Sequence, residues 1–388
     1  MRNPHRRFVR GTSCSVLFVS LWCAALMVTL PSCSANFSVQ HEAQQGVEGM
    51  LPPAYSIVCV IHGDGDYLYH DTSGYEHDAD EEALAGAQQV AQHNPHAEMF
   101  IFYQKPKRHF MLVFPLRDGE FYYYRNGRLM VQESYWRDQE LSQLGPEAEL
   151  YRRYHADNRR GLVSMFLYYG HEIPEFGGAG YDASYPDRPF TVHDLAVGLN
   201  GFTRDSTRFD LMILSTCFGG TPYTISTVGS YARYVIASPD NLHLSYLDLH
   251  SLQWLHLNLQ ENDVHVFAQT FARRAFDRLT RDLQTAVSVA VYNMDSVQEY
   301  VQSVHKVYDH TLRMLNGENE ASTATTEHCD CADLPAYVLP TMKEGVEILY
   351  RPARFGRTKD KLGHSGWECW KVGRPQAATS QIQGSVQK

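Results

Sequence analysis

Cysteine is scarce, with eight in 388 residues. Those beyond residue 32 are Cys33, Cys59, Cys217, Cys329, Cys331 and Cys369, too few and too scattered for a disulfide-built scaffold. Stability must come from packing. Cys329 and Cys331 are too close for an easy mutual disulfide; pairing of one with Cys369 and three free thiols both remain open. A zinc site built on them and His328 lacks a fourth ligand at useful spacing. Asp64, Asp66 and Asp71 lack the closing Glu of a calcium loop and read as solvated turn acids. Positive charge is also short: 34 Lys and Arg against 44 Asp and Glu give a formal charge of −10, which argues against a nucleic-acid partner. The apolar stretch Val16 to Leu30 falls short of the roughly 20 residues a spanning helix needs.

That stretch follows Arg2, Arg6, Arg7 and Arg10, with no acid among them, and precedes Pro31-Ser32. The order is that of a signal peptide over residues 1–32. Leu30-Pro31-Ser32-Cys33 resembles a lipobox, which makes Cys33 the expected lipidation site and first mature residue. Diacylation there would hold the body at a membrane surface. The expected location is the bacterial cell envelope, on the periplasmic side or at the outer membrane. Cleavage removes four Arg and no acid from the 34 and 44, leaving 30 basic against 44 acidic side chains, a formal −14. Residues 33–53 are polar and rich in Gln, Glu and Ala, as suits a tether.

From Tyr55 the pattern changes. Tyr55 to Ile61 is a nearly unbroken apolar run, as expected of a strand buried on both faces; Glu81 to His93 is helical in composition, and Glu98 to Tyr103 reads as a second strand. His109 to Pro115, Glu120 to Arg125 and Arg128 to Gln132 form strand-like pieces around the hairpin dipeptides Asp118-Gly119 and Asn126-Gly127, an inserted β-meander. Glu147 to Arg160 has a charged helical pattern, and Leu162 to Tyr169 is an apolar strand with His171 just past its carboxyl end. Thr191 caps a helix running through Leu199. Phe209 to Leu214 is a strand leading into Ser215-Thr216-Cys217, and Tyr231 to Ala237 is a fifth strand. The alternation predicts an α/β domain over 54–260, an open, mostly parallel sheet with right-handed crossovers.

A helical C-terminal part is expected over 261–317, from runs at Val264 to Val291 and Ser296 to Leu315. In the second run Val297, Tyr300, Val301 and Val304 begin a stripe at helical spacing, read as core packing. Linker and final strands occupy 318–374, with Val346 to Tyr350 as a last strand, and 375–388 reads as a disordered tail.

In open α/β sheets ligands bind outside the carboxyl ends of the strands, and two such ends carry a His and a Cys. The surrounding residues are similar to the clostripain family of cysteine peptidases, in the caspase, gingipain and legumain fold group. Tyr168-Tyr169-Gly170-His171-Glu172, then Phe176-Gly177-Gly178-Ala179-Gly180-Tyr181-Asp182 and Phe190 to Leu195, resemble the family's His strand, glycine-rich loop and following helix. Phe209 to Gly219 resembles its nucleophile strand and Ala232 to Ser238 the strand after it; the order agrees from Tyr55 to about Leu339.

The resemblance implies a caspase-like fold and a Cys-His dyad of Cys217 and His171 that hydrolyses peptide bonds. It implies an oxyanion held by the backbone N–H groups of Cys217 and Glu172. Calcium is allowed by the family; no metal ligands are assigned. The expected partners are a protein or peptide substrate and, through the lipid on Cys33, a membrane. The chain departs from the family twice. Glu172 stands where the family has Gly, placing a carboxylate beside the site. Ser215, the substrate-pocket candidate, stands where an Asp binds a substrate Arg or Lys, so arginine specificity does not carry over. The two departures support an alternative: an inactive caspase-fold lipoprotein serving as an envelope interaction protein. His62-Gly63 also looks like a His-Gly pair, but it follows the first strand and reads as a structural turn.

Overall fold

The computed structural model describes residues 52–63, 68–70, 73–111, 113–137, 144–155, 162–175, 177–203, 208–242, 247, 249–259, 263–304, 306, 345–356 and 359–360. The expected signal peptide, Cys33, the tether to residue 51, Asp64, Asp66, Asp71, Phe176, His328, Cys329, Cys331, Cys369 and the tail lie outside them, as do most of the linker and the end of the second helical run.

The strands, in chain order, are β1 (Tyr55–His62), β2 (Leu68–His70), β3 (Glu76–Asp78), β4 (Ala97–Gln104), β5 (His109–Phe110), β6 (Phe114–Pro115), β7 (Gly119–Arg125), β8 (Arg128–Tyr135), β9 (Val163–Tyr169), β10 (Phe209–Ser215), β11 (Ala232–Ala237), β12 (Val287–Asn293) and β13 (Val346–Arg351). Nine of them form one sheet in the order β13-β12-β11-β10-β9-β1-β4-β7-β8. The centre, β4, β1, β9, β10 and β11, is parallel; β7 and β8 on one side and β12 and β13 on the other are antiparallel. This is the expected α/β class, an open sheet flanked by helices.

The unbroken apolar runs become strands because both faces are covered. Along β1, Ile57, Cys59 and Ile61 face one half of the core and Val58 and Val60 the other. The first half is closed by helix Ala79–Gln92, through Ala83, Ala87 and Val90, and by helix Val264–Asp282, through Phe267, Phe271, Ala275 and Leu279. The second half is closed by helices Gly145–Tyr154, Val192–Leu199 and Pro222–Val228, and by Val297, Tyr300, Val301 and Val304 of the expected stripe. Asn126 and Gly127, at φ of 51° and 77°, make the tight turn joining β7 to β8, as the dipeptide predicts.

Two expectations are corrected. The helical run expected from Val264 through Val291 ends at Asp282, and Val287–Asn293 is a strand. The residues from Val287 to Tyr292 are buried and pair with β13, and from Ala290 on with β11 as well, so sheet pairing of a Val-rich segment overrides the helical reading and interrupts the part expected to be helical over 261–317. His109 to Pro115 is two short strands, β5 and β6, folded back on each other around Met111 at φ 50°. A strand-like apolar composition does not show where the chain reverses, and the pairing of Phe110 with Phe114 does. Among the described residues no helix is long and apolar enough to cross a membrane.

Candidate active site

Strands β9 and β10 lie side by side, with Tyr169 paired to Ser215 at their carboxyl ends. Each chain runs two residues further, to His171 and to Cys217. Equal extension from a paired end brings the two turns together, and they are cross-linked: the Thr216 hydroxyl donates to the His171 carbonyl at 2.6 Å, and the Gly170 N–H to the Ser215 carbonyl at 3.4 Å. A third tie runs from the Thr221 hydroxyl to the Glu175 carboxylate.

Cys217 is half-buried, and its Sγ–H donates to Asn241 Oδ1 at 3.1 Å. The next residue, Phe218, has φ 51°, a conformation bulky side chains rarely adopt. Its N–H donates to the Asp240 carbonyl at 3.2 Å, Gly220 donates to the Ser238 carbonyl at 2.8 Å, and the Tyr292 hydroxyl caps the Gly220 carbonyl at 3.0 Å. The sharp turn carrying Cys217 is thus fixed by β11's following loop and by β12, and such overdetermined strain clusters at functional sites. Cys59, the other described thiol, is fully buried in β1, and burial pushes it up to about 12, which leaves it inert.

Ser215 is 7% exposed and its Oγ accepts the Leu247 N–H at 3.0 Å, so the hydroxyl is used to hold the Leu247 backbone. Glu172 is half-buried beside His171. Among the described residues no group of three or more His, Cys, Asp or Glu is arranged to hold a metal ion.

The glycine-rich segment after His171 folds over the ends of β1 and β9. Gly178, at φ 74°, lets the chain pass where a Cβ would lie 2.3 Å from the Phe190 carbonyl oxygen. Tyr181 stacks on Phe190 at 5.0 Å and against His62 at 4.6 Å, and Asp182 is driven inward. One Asp182 oxygen meets Arg137 Nη2 at 2.7 Å and His62 Nε2 at 3.2 Å; the other accepts the Ser184 N–H at 2.8 Å. Burial alone would raise the Asp182 carboxyl, but the His62 hydrogen bond and the Arg137 guanidinium overcome it and hold the carboxyl well below the usual range. His62 is therefore a strand-end member of a buried ionic cluster, where the sequence suggested only a turn. Arg137 had no sequence signal, whereas Asp182 stood in the quoted Gly180-Tyr181-Asp182.

The segment then enters helix Val192–Leu199 through a capping box: Thr191 Oγ1 accepts the Asp194 N–H and Asp194 Oδ2 accepts the Thr191 N–H at 2.9 Å. Thr191→Ala is expected to cost about 1 kcal/mol, read as a lower urea midpoint at unchanged slope.

No protein-family model and no curated protein matches the sequence. Three solved structures that the chain resembles are C11 cysteine proteases, of the clostripain family. An inactive zymogen C11 protease from Parabacteroides distasonis superposes with a TM-score of 0.47 at 12% identity, over 71% of this chain and 72% of that one. A secreted C11 cysteine protease from Bacteroides thetaiotaomicron, iotapain, gives 0.47 at 9% over 67% and 72%. A secreted C11 cysteine protease from the same organism, in complex with an irreversible peptide inhibitor, gives 0.46 at 10% over 67% and 71%. Likeness at this level assigns no residue role and no activity; those have to come from the chain's own residues.

Proposed function

We propose that this chain is an exported, lipid-anchored cysteine endopeptidase of the clostripain type, with His171 and Cys217 as its dyad. The observation that carries the reading is the paired end of β9 and β10, from which both residues extend equally, joined by Thr216 to the His171 carbonyl. In the reaction the Cys217 thiolate attacks the peptide carbonyl carbon. The C–N bond breaks, and His171 gives its proton to the leaving amine. Water, deprotonated by His171, then cleaves the thioester, releasing the acid and restoring the Cys217 thiolate beside a protonated His171. The N–H groups of Cys217 and Glu172 serve the oxyanion. Ser215 supplies no carboxylate, so no preference for Arg or Lys is proposed. Export by residues 1–32 and a lipid at Cys33 place the enzyme in the cell envelope.

A second reading, an inactive interaction protein, is favoured by the Cys217 thiol donating to Asn241, an arrangement that suits the protonated sulfur, and by the Glu172 carboxylate beside the site. Peptidyl electrophiles with varied side chains, applied to the full chain with and without calcium, separate the two. The expected result is a covalent adduct at Cys217 that Cys217→Ala abolishes. A folded wild type that takes no label under either condition would instead establish the interaction protein.

A further inference from the structure

Between β4 and β7 the chain leaves the sheet as the small β5-β6 hairpin. Within it the Leu116 N–H donates to the Arg108 carbonyl at 2.9 Å and the Val113 N–H to the Phe110 carbonyl at 3.3 Å. Its side chains are not covered. Phe110 (56% exposed), Met111 (71%), Val113 (71%), Phe114 (62%) and Leu116 (46%) stand in solvent together. Single exposed apolar side chains need no explanation, but a contiguous tip of this kind marks a binding surface.

The flanks identify what it binds. From Lys105 to Arg117 there is no acidic residue and there are four cations, in a chain whose formal charge is −10. Lys105 is taken by Glu120, Arg117 donates to the Ser134 carbonyl and Lys107 lies over the Tyr185 ring at 5.1 Å, yet Lys107, Arg108 and Arg117 all remain exposed around the base of the tip. Apolar side chains at the end with cations one layer behind match an anionic lipid surface, hydrocarbon below and phosphates above. We infer that the β5-β6 hairpin inserts into the surface of an anionic membrane.

This contact is separate from any lipid on Cys33 and does not depend on the peptidase reading. It would set the orientation of the body. The hairpin starts from the carboxyl end of β4, the edge of the sheet that carries His171 and Cys217, and the Lys107 N–H donates to Ser184 Oγ at 2.7 Å in the segment following His171. A docked hairpin therefore turns the candidate site's rim toward the bilayer.

Hydrogen exchange of the full chain, read by mass spectrometry on peptides spanning 107–117, tests this on phosphatidylcholine vesicles with and without phosphatidylglycerol. The readout is local, so attachment elsewhere in the chain does not register. Exchange of the hairpin is expected to slow only with phosphatidylglycerol, to return to its free rate in Phe110→Ser/Phe114→Ser, and to need about fivefold more lipid for each of Lys107→Gln and Arg108→Gln. Unchanged exchange on both vesicles overturns the inference. Equal slowing on both does so too, because the cations then play no part. Slowing that follows protein concentration without lipid would assign the tip to a second copy of the chain.

Discussion

His171→Ala is expected to slow acylation of Cys217 by a peptide amide about 10²–10⁴-fold. An ordinary thiol titrates near 8.5 and is mostly protonated at neutral pH, and an amine does not leave a tetrahedral intermediate without a proton. A His on the neighbouring turn serves both needs. The signature goes beyond the size of the loss: the wild-type rate should be bell-shaped in pH, whereas the variant's should climb with thiol ionisation to about pH 8.5. Activated esters, whose leaving groups need no proton, should lose less than amides. Cys217→Ser should lose more than either. Equal amide hydrolysis in His171→Ala and wild type, in protein with an unchanged urea midpoint, would remove His171 from the chemistry.

The largest expected stability effect lies in the buried cluster beside that site. Asp182→Asn retains an acceptor for the Ser184 N–H but removes the charge that faces Arg137 and His62, all three nearly excluded from solvent. An uncompensated buried guanidinium costs about 3–5 kcal/mol, so the denaturation midpoint should fall sharply. The pH dependence has a definite sign. The folded Asp182 carboxyl is held below its unfolded value of about 3.9, so its stabilisation is complete above that pH and is lost as pH falls through the lower folded value. Wild type and variant should therefore differ most near neutrality and converge in strong acid. Loss of less than about 1 kcal/mol at pH 7 would mean that water, not Asp182, satisfies Arg137.

The sequence revealed the centre of the fold better than its edges. Tyr55 to Ile61, Glu98 to Tyr103 and Phe209 to Leu214 are strands wherever they are buried on both faces, and their continuous apolar character says so without knowledge of neighbours. Val287–Asn293 was hidden because a Val-rich run after a long helix fits either structure, and only pairing with β11 and β13 decides. The strand-end positions of His171 and Cys217 were legible for the same reason as the strands. Their cross-link through Thr216 was not, since a hydroxyl reaching a carbonyl 45 residues away leaves no local pattern. Arg137 was equally invisible. Asp182 collects it and His62 across 45 and 120 residues of chain, and the partners of a buried ion pair are chosen by topology alone.

Strand β13 pairs with β12 across six residues from Val346 to Arg351, although more than fifty residues of chain separate the two strands. Until β13 docks, therefore, the Val-rich β12, already backed by β11, presents a bare hydrogen-bonding edge. A chain stopped short of Val346 would keep that edge permanently open to strands of other copies. Late-truncated forms should therefore be recovered as aggregates even though every residue of the candidate dyad has been made.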